Sequence, residues 1–158
     1  MSVLRVPRAV YEAIRAHGEE TYPHECCGAL LARRDGATTA RARVIAGAIR
    51  AANTRTDSAH NRYQISPLEL VKIERQSRQN GLEVVGFYHS HPDHPAQWSA
   101  TDLAEAHWIG SSYVITSVER GKATVTNSFL LAGATEEDKR FEAEMIQIDD
   151  QSIDDPAS

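Results

Sequence analysis

Two histidines one residue apart, His89 and His91, follow an apolar run over residues 82–88. The run reads as a buried strand. On an extended chain, side chains two apart face the same way, so both imidazoles can address one metal ion. Pro92 disfavours the helical conformation at His91 and keeps the pair extended. Downstream, Ser99-Ala100-Thr101-Asp102 reads as a helix start, with Ser99 as N-cap and an acid in the first turn. A carboxylate carried on that helix, Asp102, completes three protein ligands and leaves a position open to water. That is the donor pattern of a catalytic zinc site rather than a closed structural one. The capping and ligand roles are compatible, because a rigid helix start is a good place to hold a ligand.

The elements that must position these groups follow from pattern and punctuation. Pro7 suits a first helical position, and Val6, Val10 and Ile14 share a helical face, so a helix is expected over 7–21, stopped by Pro23. A strand over 28–33, a turn at Arg34-Asp35-Gly36 and a returning strand over 38–49 come next. Residues 50–61 show no period and read as a long polar loop. Ser66-Pro67-Leu68-Glu69 is a capping box with proline at the first helical position, and Gly81 closes the helix it opens. After the histidine strand, the helix from Ser99 is expected to run toward a stop at Gly110. Strands over 112–118 and 123–131 then pair around a turn, and 141–145 adds a short edge strand. Hairpins followed by strands separated by helices predict an α/β fold, a mixed β-sheet flanked by helices.

The chain has 158 residues, 41% apolar and 25% charged, which fits one domain with a genuine core. The net charge of −5 is uneven. Residues 136–158 hold nine acidic and two basic side chains, while 1–135 carry a balance of +2. The reading is therefore a domain over 1–135 and an acidic C-terminal extension over 136–158, partly disordered, whose charge serves solubility. The nearly neutral body shows no nucleic-acid footprint. No apolar run spans a bilayer and no signal region leads the chain, so a cytoplasmic protein without membrane contact is expected. The neighbouring Cys26 and Cys27 read as packing residues. His94 reads as solvent-facing, and Ser90, between the two histidines, must point to the opposite face.

The combination His89-x-His91, ten residues, then Asp102, with Ser99 between, resembles the JAMM zinc metalloproteases, the MPN-plus domains. Gly86-Phe87-Tyr88-His89-Ser90-His91-Pro92, Trp98-Ser99-Ala100-Thr101-Asp102 and Arg62-Tyr63-Gln64-Ile65-Ser66-Pro67 are similar to the small bacterial Mec-like members, over roughly residues 5–130. The resemblance implies a JAMM/MPN fold close to that of cytidine deaminases and a bound Zn2+. It implies Glu25 as general base and Ser99 as support for the tetrahedral oxyanion. It also implies a substrate class: an amide or isopeptide bond after the C-terminal Gly-Gly of a ubiquitin-like sulfur-carrier protein. Two alternatives stay open on sequence, a metal-free MPN scaffold module and a zinc hydrolase of a small-molecule amide. The extra insertions of eukaryotic deubiquitinating members have no obvious counterpart in this chain.

Overall fold

The computed structural model describes residues 2–36, 42–55 and 63–150. Eight strands form one mixed sheet in the order β3-β1-β8-β7-β6-β5-β2-β4. They are β1 (Val3–Pro7), β2 (Cys27–Arg33), β3 (Ala42–Val44), β4 (Gly47–Ala51), β5 (Leu82–Pro92), β6 (Ser112–Glu119), β7 (Lys122–Ala132) and β8 (Arg140–Asp149). Three helices accompany them: α1 (Arg8–Thr21), α2 (Pro67–Gln79) and α3 (Ala100–Glu105). The expected mixed sheet with flanking helices is the observed architecture.

Alternation along the central strands divides the core in two. On one side Leu4, Val6, Ile14, Cys26, Leu30, Tyr88 and Val114 pack together with Val10 and Tyr11 of α1. On the other, Cys27, Ala29, Ile73, Phe87, Tyr113 and Leu131 pack with Leu70 of α2 and with Tyr63 and Leu103. Successive residues of β2 and β5 thus serve opposite faces, as a period of two requires. The two cysteines are free and buried, one in each cluster. Burial raises both thiols, Cys26 to about 11. Both therefore act as small apolar fillers, not nucleophiles. Where β2 crosses β5 the backbones need glycine: a Cβ on Gly28 would stand 2.2 Å from Tyr88 Cε1 and 2.5 Å from the Ile49 carbonyl oxygen.

Several expectations change. Val3–Pro7 is a strand, not the lead-in to a helix. Its five residues alternate, and Leu4 and Val6 are buried as β1 pairs in parallel with β3 and β8. Pro7 accordingly ends the strand, and α1 begins at Arg8. The returning strand over 38–49 is two strands with different partners, β3 on β1 and β4 on β2. Residues 38–41 of that expectation lie outside the described residues, as do 56–61 of the polar loop; residues 50 and 51 belong to β4. The expected edge strand at 141–145 is longer and internal: β8 lies between β7 and β1, antiparallel to one and parallel to the other. The sheet therefore continues well past residue 135, where the sequence reading ended the domain. Residues 151–158 of the expected disordered tail lie outside the described residues.

Helix α3 is six residues long rather than reaching toward Gly110. Its end is held from outside. Lys139 Nζ donates to the carbonyls of Ala104 and Ala106, at 3.2 and 2.8 Å, which satisfies acceptors that a longer helix would have used itself.

Candidate metal centre

Strand β5 runs four residues further than the apolar pattern suggests, so the histidines sit within it. Its last residues pair in parallel with β6, His89 level with Ile115 and His91 with Ser117. On the other side His89 is level with Cys27 of β2. His89 and His91 share the face of Phe87, toward α2. Both are buried, His89 at 2% exposure. The chain then turns at Asp93, which adopts positive φ of 57°. That turn is pinned by the Asp93 amide donating to the Val118 carbonyl at 2.7 Å and by the Tyr22 hydroxyl donating to Asp93 Oδ2 at 2.6 Å. Ser117 Oγ on the His94 carbonyl and Asn127 Nδ2 on the Ala96 carbonyl hold the loop that leads to α3.

Helix α3 delivers Asp102 through a complete capping box. Ser99 Oγ accepts from the Asp102 amide at 3.0 Å, and Asp102 Oδ2 accepts from the Ser99 amide at 2.9 Å. The same carboxylate meets both imidazoles: His89 Nε2 lies 3.2 Å from Oδ1 and His91 Nε2 lies 3.1 Å from Oδ2. The two Nε2 atoms are 3.1 Å apart. Among the described residues, His89, His91 and Asp102 place one ligand atom each within 4.8 Å of one another.

The donor set fits a divalent cation. His91 Nδ1 lies 2.9 Å from the Pro95 carbonyl, which can only accept, so Nδ1 carries a proton and, in the neutral ring, Nε2 is the nitrogen left to bind a cation. His89 is held differently. Its ring stacks on Tyr63, with centroids 4.5 Å apart at 24°, while its Nδ1 is buried without a hydrogen-bond partner among the described residues. Burial lowers the His89 pKa and favours the neutral ligand form. Burial alone would raise Asp102, but its bonds from His89 and His91 outweigh that and hold the carboxyl well below the usual range. Burial also works against a charged His91, yet the Asp102 and Pro95 contacts raise it overall. Each histidine thus faces an anion that a bound cation would share.

Glu25 enters from the start of β2. Continuing the β2–β5 register from Cys27 and His89 brings it level with His91. It is 4% exposed, and its Oε1 is buried with no hydrogen-bond partner among the described residues. Burial raises its pKa to about 8, with His91 pulling it down and Asp102 and Glu105 pushing it up. It therefore lies in the electrostatic field of the cluster without joining its three ligand atoms. Ser99, at the exposed helix start, reaches the same place through its two bonds with Asp102. Ser90 faces α1, as alternation requires. His94 is exposed and outside the cluster.

Three participants escaped the sequence reading as individual residues. Tyr63 covers the His89 ring, the Pro95 carbonyl orients His91, and Asn53 accepts two backbone amides while donating to the Glu25 carbonyl. Only Tyr63 carried a signal, as an aromatic residue just before the α2 capping box. A cleft of about 620 Å3 opens beside the site, lined in part by Tyr63, Phe87, Trp108, Arg55 and Glu105. Tyr63 forms a wall of both.

The family model for prokaryotic homologs of the JAB domain matches residues 7–132. This chain belongs to that family. The JAB-domain match takes in Glu25, both histidines, Ser99 and Asp102. Among curated relatives, the chain is 37% identical over 95 residues to the desampylase of Haloferax volcanii, covering 60% of this chain and 63% of that one. It is 34% identical over 106 residues to the "probable TtuB-protein conjugate cleaving protease" of Thermus thermophilus, covering 67% and 65%. The matched region thus spans a little under two thirds of each relative's length. Among solved structures, a protein from Desulfitobacterium hafniense superposes with a TM-score of 0.77 at 30% identity, over 94% of each chain. One from Salinibacter ruber gives 0.67 at 35% identity, over 99% of this chain and 95% of that one.

Proposed function

We propose that this JAB-domain chain is a zinc-dependent peptidase or isopeptidase that hydrolyses the amide bond after the C-terminal Gly-Gly of a ubiquitin-like or sulfur-carrier protein. The observation that carries the reading is the convergence of His89, His91 and Asp102 on one point, with a buried carboxyl, Glu25, beside them. The relatives named for cleaving such conjugates supply the substrate class. His89, His91 and Asp102 would hold the zinc ion, which would supply Lewis acidity for activating water and the scissile carbonyl.

The remaining work falls to the chain. Glu25, buried beside the cluster with a free carboxyl oxygen among the described residues, is suited to take a proton from attacking water and return it to the leaving amine. Hydrolysis then balances, with the carrier leaving as a carboxylate and the other product as the amine. Ser99, held at the helix start by its bonds with Asp102, directs its hydroxyl hydrogen toward the developing oxyanion. Tyr63 shields one face of His89 from water, and the adjoining cleft accepts the chain beside the scissile bond. A two-glycine tail suits such a passage because it carries no side chains. The proposed setting is the cytoplasm, with no nucleic-acid or membrane partner. No described helix is long and apolar enough to cross a membrane.

The test is to incubate zinc-loaded protein with carrier proteins extended beyond Gly-Gly and read the products by intact mass. Cleavage directly after Gly-Gly, lost on chelation and restored by zinc, is the expected result. Zinc-loaded protein that leaves every such fusion intact while cleaving a small-molecule amide would overturn the substrate assignment.

A further inference from the structure

Glu25 lies just ahead of the first regularly paired residue of β2, so the sheet ladder by itself does not orient it. Two side chains do. The carbonyl of Glu25 accepts from Asn53 Nδ2 at 3.2 Å. The amide of Cys26 donates to Ser90 Oγ at 2.8 Å. These are the two ends of one peptide unit, which is rigid and planar. Holding both ends fixes the backbone rotation that aims the Glu25 side chain at the histidines. The Ser90 amide adds a 3.3 Å bond to the Cys26 carbonyl.

Each clamp residue is itself fixed. Ser90 lies between the two ligand histidines and is fully buried. Helix α1 closes over it: a Cβ on Gly18 would come within 3.2 Å of Ser90 Cβ and 3.0 Å of Val118 Cγ2. The hydroxyl of Ser90 therefore turns inward to the β2 backbone. Asn53 uses its other atom as well, with Oδ1 accepting from the amides of Arg55 and Gln64, each at 3.0 Å. Gln64 adjoins Tyr63, the residue stacked on His89. One amide side chain thus joins the backbone of Glu25 to the segment that covers a ligand ring.

We propose that Asn53 and Ser90 are positioning residues for Glu25, clamping the Glu25–Cys26 peptide from opposite sides so that the carboxyl is aimed at the metal centre. The inference rests on the reading of Glu25 as general base. Neither residue touches the reacting atoms, so their loss lowers turnover without weakening substrate binding or metal binding.

Asn53→Asp isolates the clamp. A carboxylate still accepts from the Arg55 and Gln64 amides but cannot donate to the Glu25 carbonyl. In the zinc-loaded protein, kcat on a Gly-Gly fusion should fall on the order of tenfold to a hundredfold, as sub-ångström misplacement of a reacting group does, with KM within about twofold. Zinc content stays at the wild-type level. Hydrogen exchange gives a readout independent of activity: the Cys26 amide exchanges faster, while those of Arg55 and Gln64 stay protected. Ser90→Ala should give the same kinetic signature; if that variant does not fold, Asn53→Asp decides alone.

Single-turnover rates in a Glu25→Gln background complete the test. A residue that acts through Glu25 adds little further loss there, since residues working as a unit are non-additive. Wild-type kcat in Asn53→Asp, or a full multiplicative loss on top of Glu25→Gln, would overturn the clamp. A fully active Glu25→Gln enzyme would instead overturn the base reading beneath it.

Discussion

The two faces of β5 do different work with the same backbone. Toward α2, Phe87, His89 and His91 alternate with residues that point away, and the two rings converge with Asp102. Toward α1, Tyr88 and Ser90 are sealed under a helix. Tyr88 is 1% exposed, and its hydroxyl lies 2.8 Å from His17 Nδ1. Both faces carry a buried histidine close to a polar partner. His17 shares one hydrogen bond with a neutral phenol, and burial lowers its pKa. His89 and His91 meet a carboxylate within 3.2 Å of both Nε2 atoms, and those contacts hold its pKa well below the usual range. Polar groups on the α1 face satisfy one another. On the α2 face two buried polar atoms, Glu25 Oε1 and His89 Nδ1, have no partner among the described residues. Unsatisfied buried polar atoms are costly, so they mark where structure has been shaped for something other than stability.

The sharpest way to break this contrast is to empty the α2 face of ligands. The double variant His89→Ala, His91→Ala should lose stoichiometric zinc and all detectable turnover. Metal analysis after gel filtration checks it, and one zinc per chain in that variant would end the metal assignment.

Glu25→Gln comes next. It should keep zinc and the fold while turnover drops ~10²–10⁴-fold, the usual contribution of a positioned general base. The same variant tests the burial cost. Glu25 is raised from 4.5 to about 8 in the folded protein, so the folded state holds this proton more tightly than the unfolded chain. The resulting stabilisation is complete below pH 4.5 and is lost as pH rises through about 8. Metal-free Glu25→Gln should therefore melt above the metal-free wild type at pH 9, by an amount on the order of a few kcal/mol, and converge with it near pH 4. Parallel melting curves across that range would show that the carboxyl carries no burial penalty.

Ser99 separates chemistry from capping at one residue. As a cap alone, Ser99→Ala costs about 0.5–2 kcal/mol of stability and spares turnover. As oxyanion support, the loss slows turnover roughly 10²–10³-fold. Ser99→Asp caps as well as serine but cannot donate from an ionised carboxylate, so a folded, zinc-loaded and slow enzyme is expected. Thermal melting and single-turnover rates on one zinc-checked preparation decide it.

The smallest effect on activity belongs to the α1 face. Tyr88→Phe removes the bond to His17 and should cost about 1–3 kcal/mol, the penalty of a buried group left unpaired, with zinc content and kcat unchanged. Chemical denaturation alongside turnover measures both. A fall in kcat comparable to that of Glu25→Gln would erase the distinction between the faces.

Much of the site was legible because its logic is local. A period of two aims His89 and His91 together whatever lies around them, and Ser99 with Asp102 make a capping box within four residues. The sequence by itself therefore determined the residue types of the candidate metal site, the strand and helix start that carry them, and the mixed sheet with its flanking helices. It misread Val3–Pro7, whose Val6 also fits the helical stripe of Val10 and Ile14. It also misplaced β8, because Phe141-Glu142-Ala143-Glu144-Met145 alternates like an edge strand, and only pairing with both β7 and β1 makes it internal. What tertiary structure alone decided is the company these groups keep. Asn53 reaches the Glu25 carbonyl across 28 positions, Cys26 reaches Ser90 across 64, and Lys139 ends α3 from 33 positions beyond Ala106. No periodicity records such contacts. Each depends on which strand the sheet sets beside which, and a side chain's neighbours across a sheet are chosen by topology rather than by its own place in the chain.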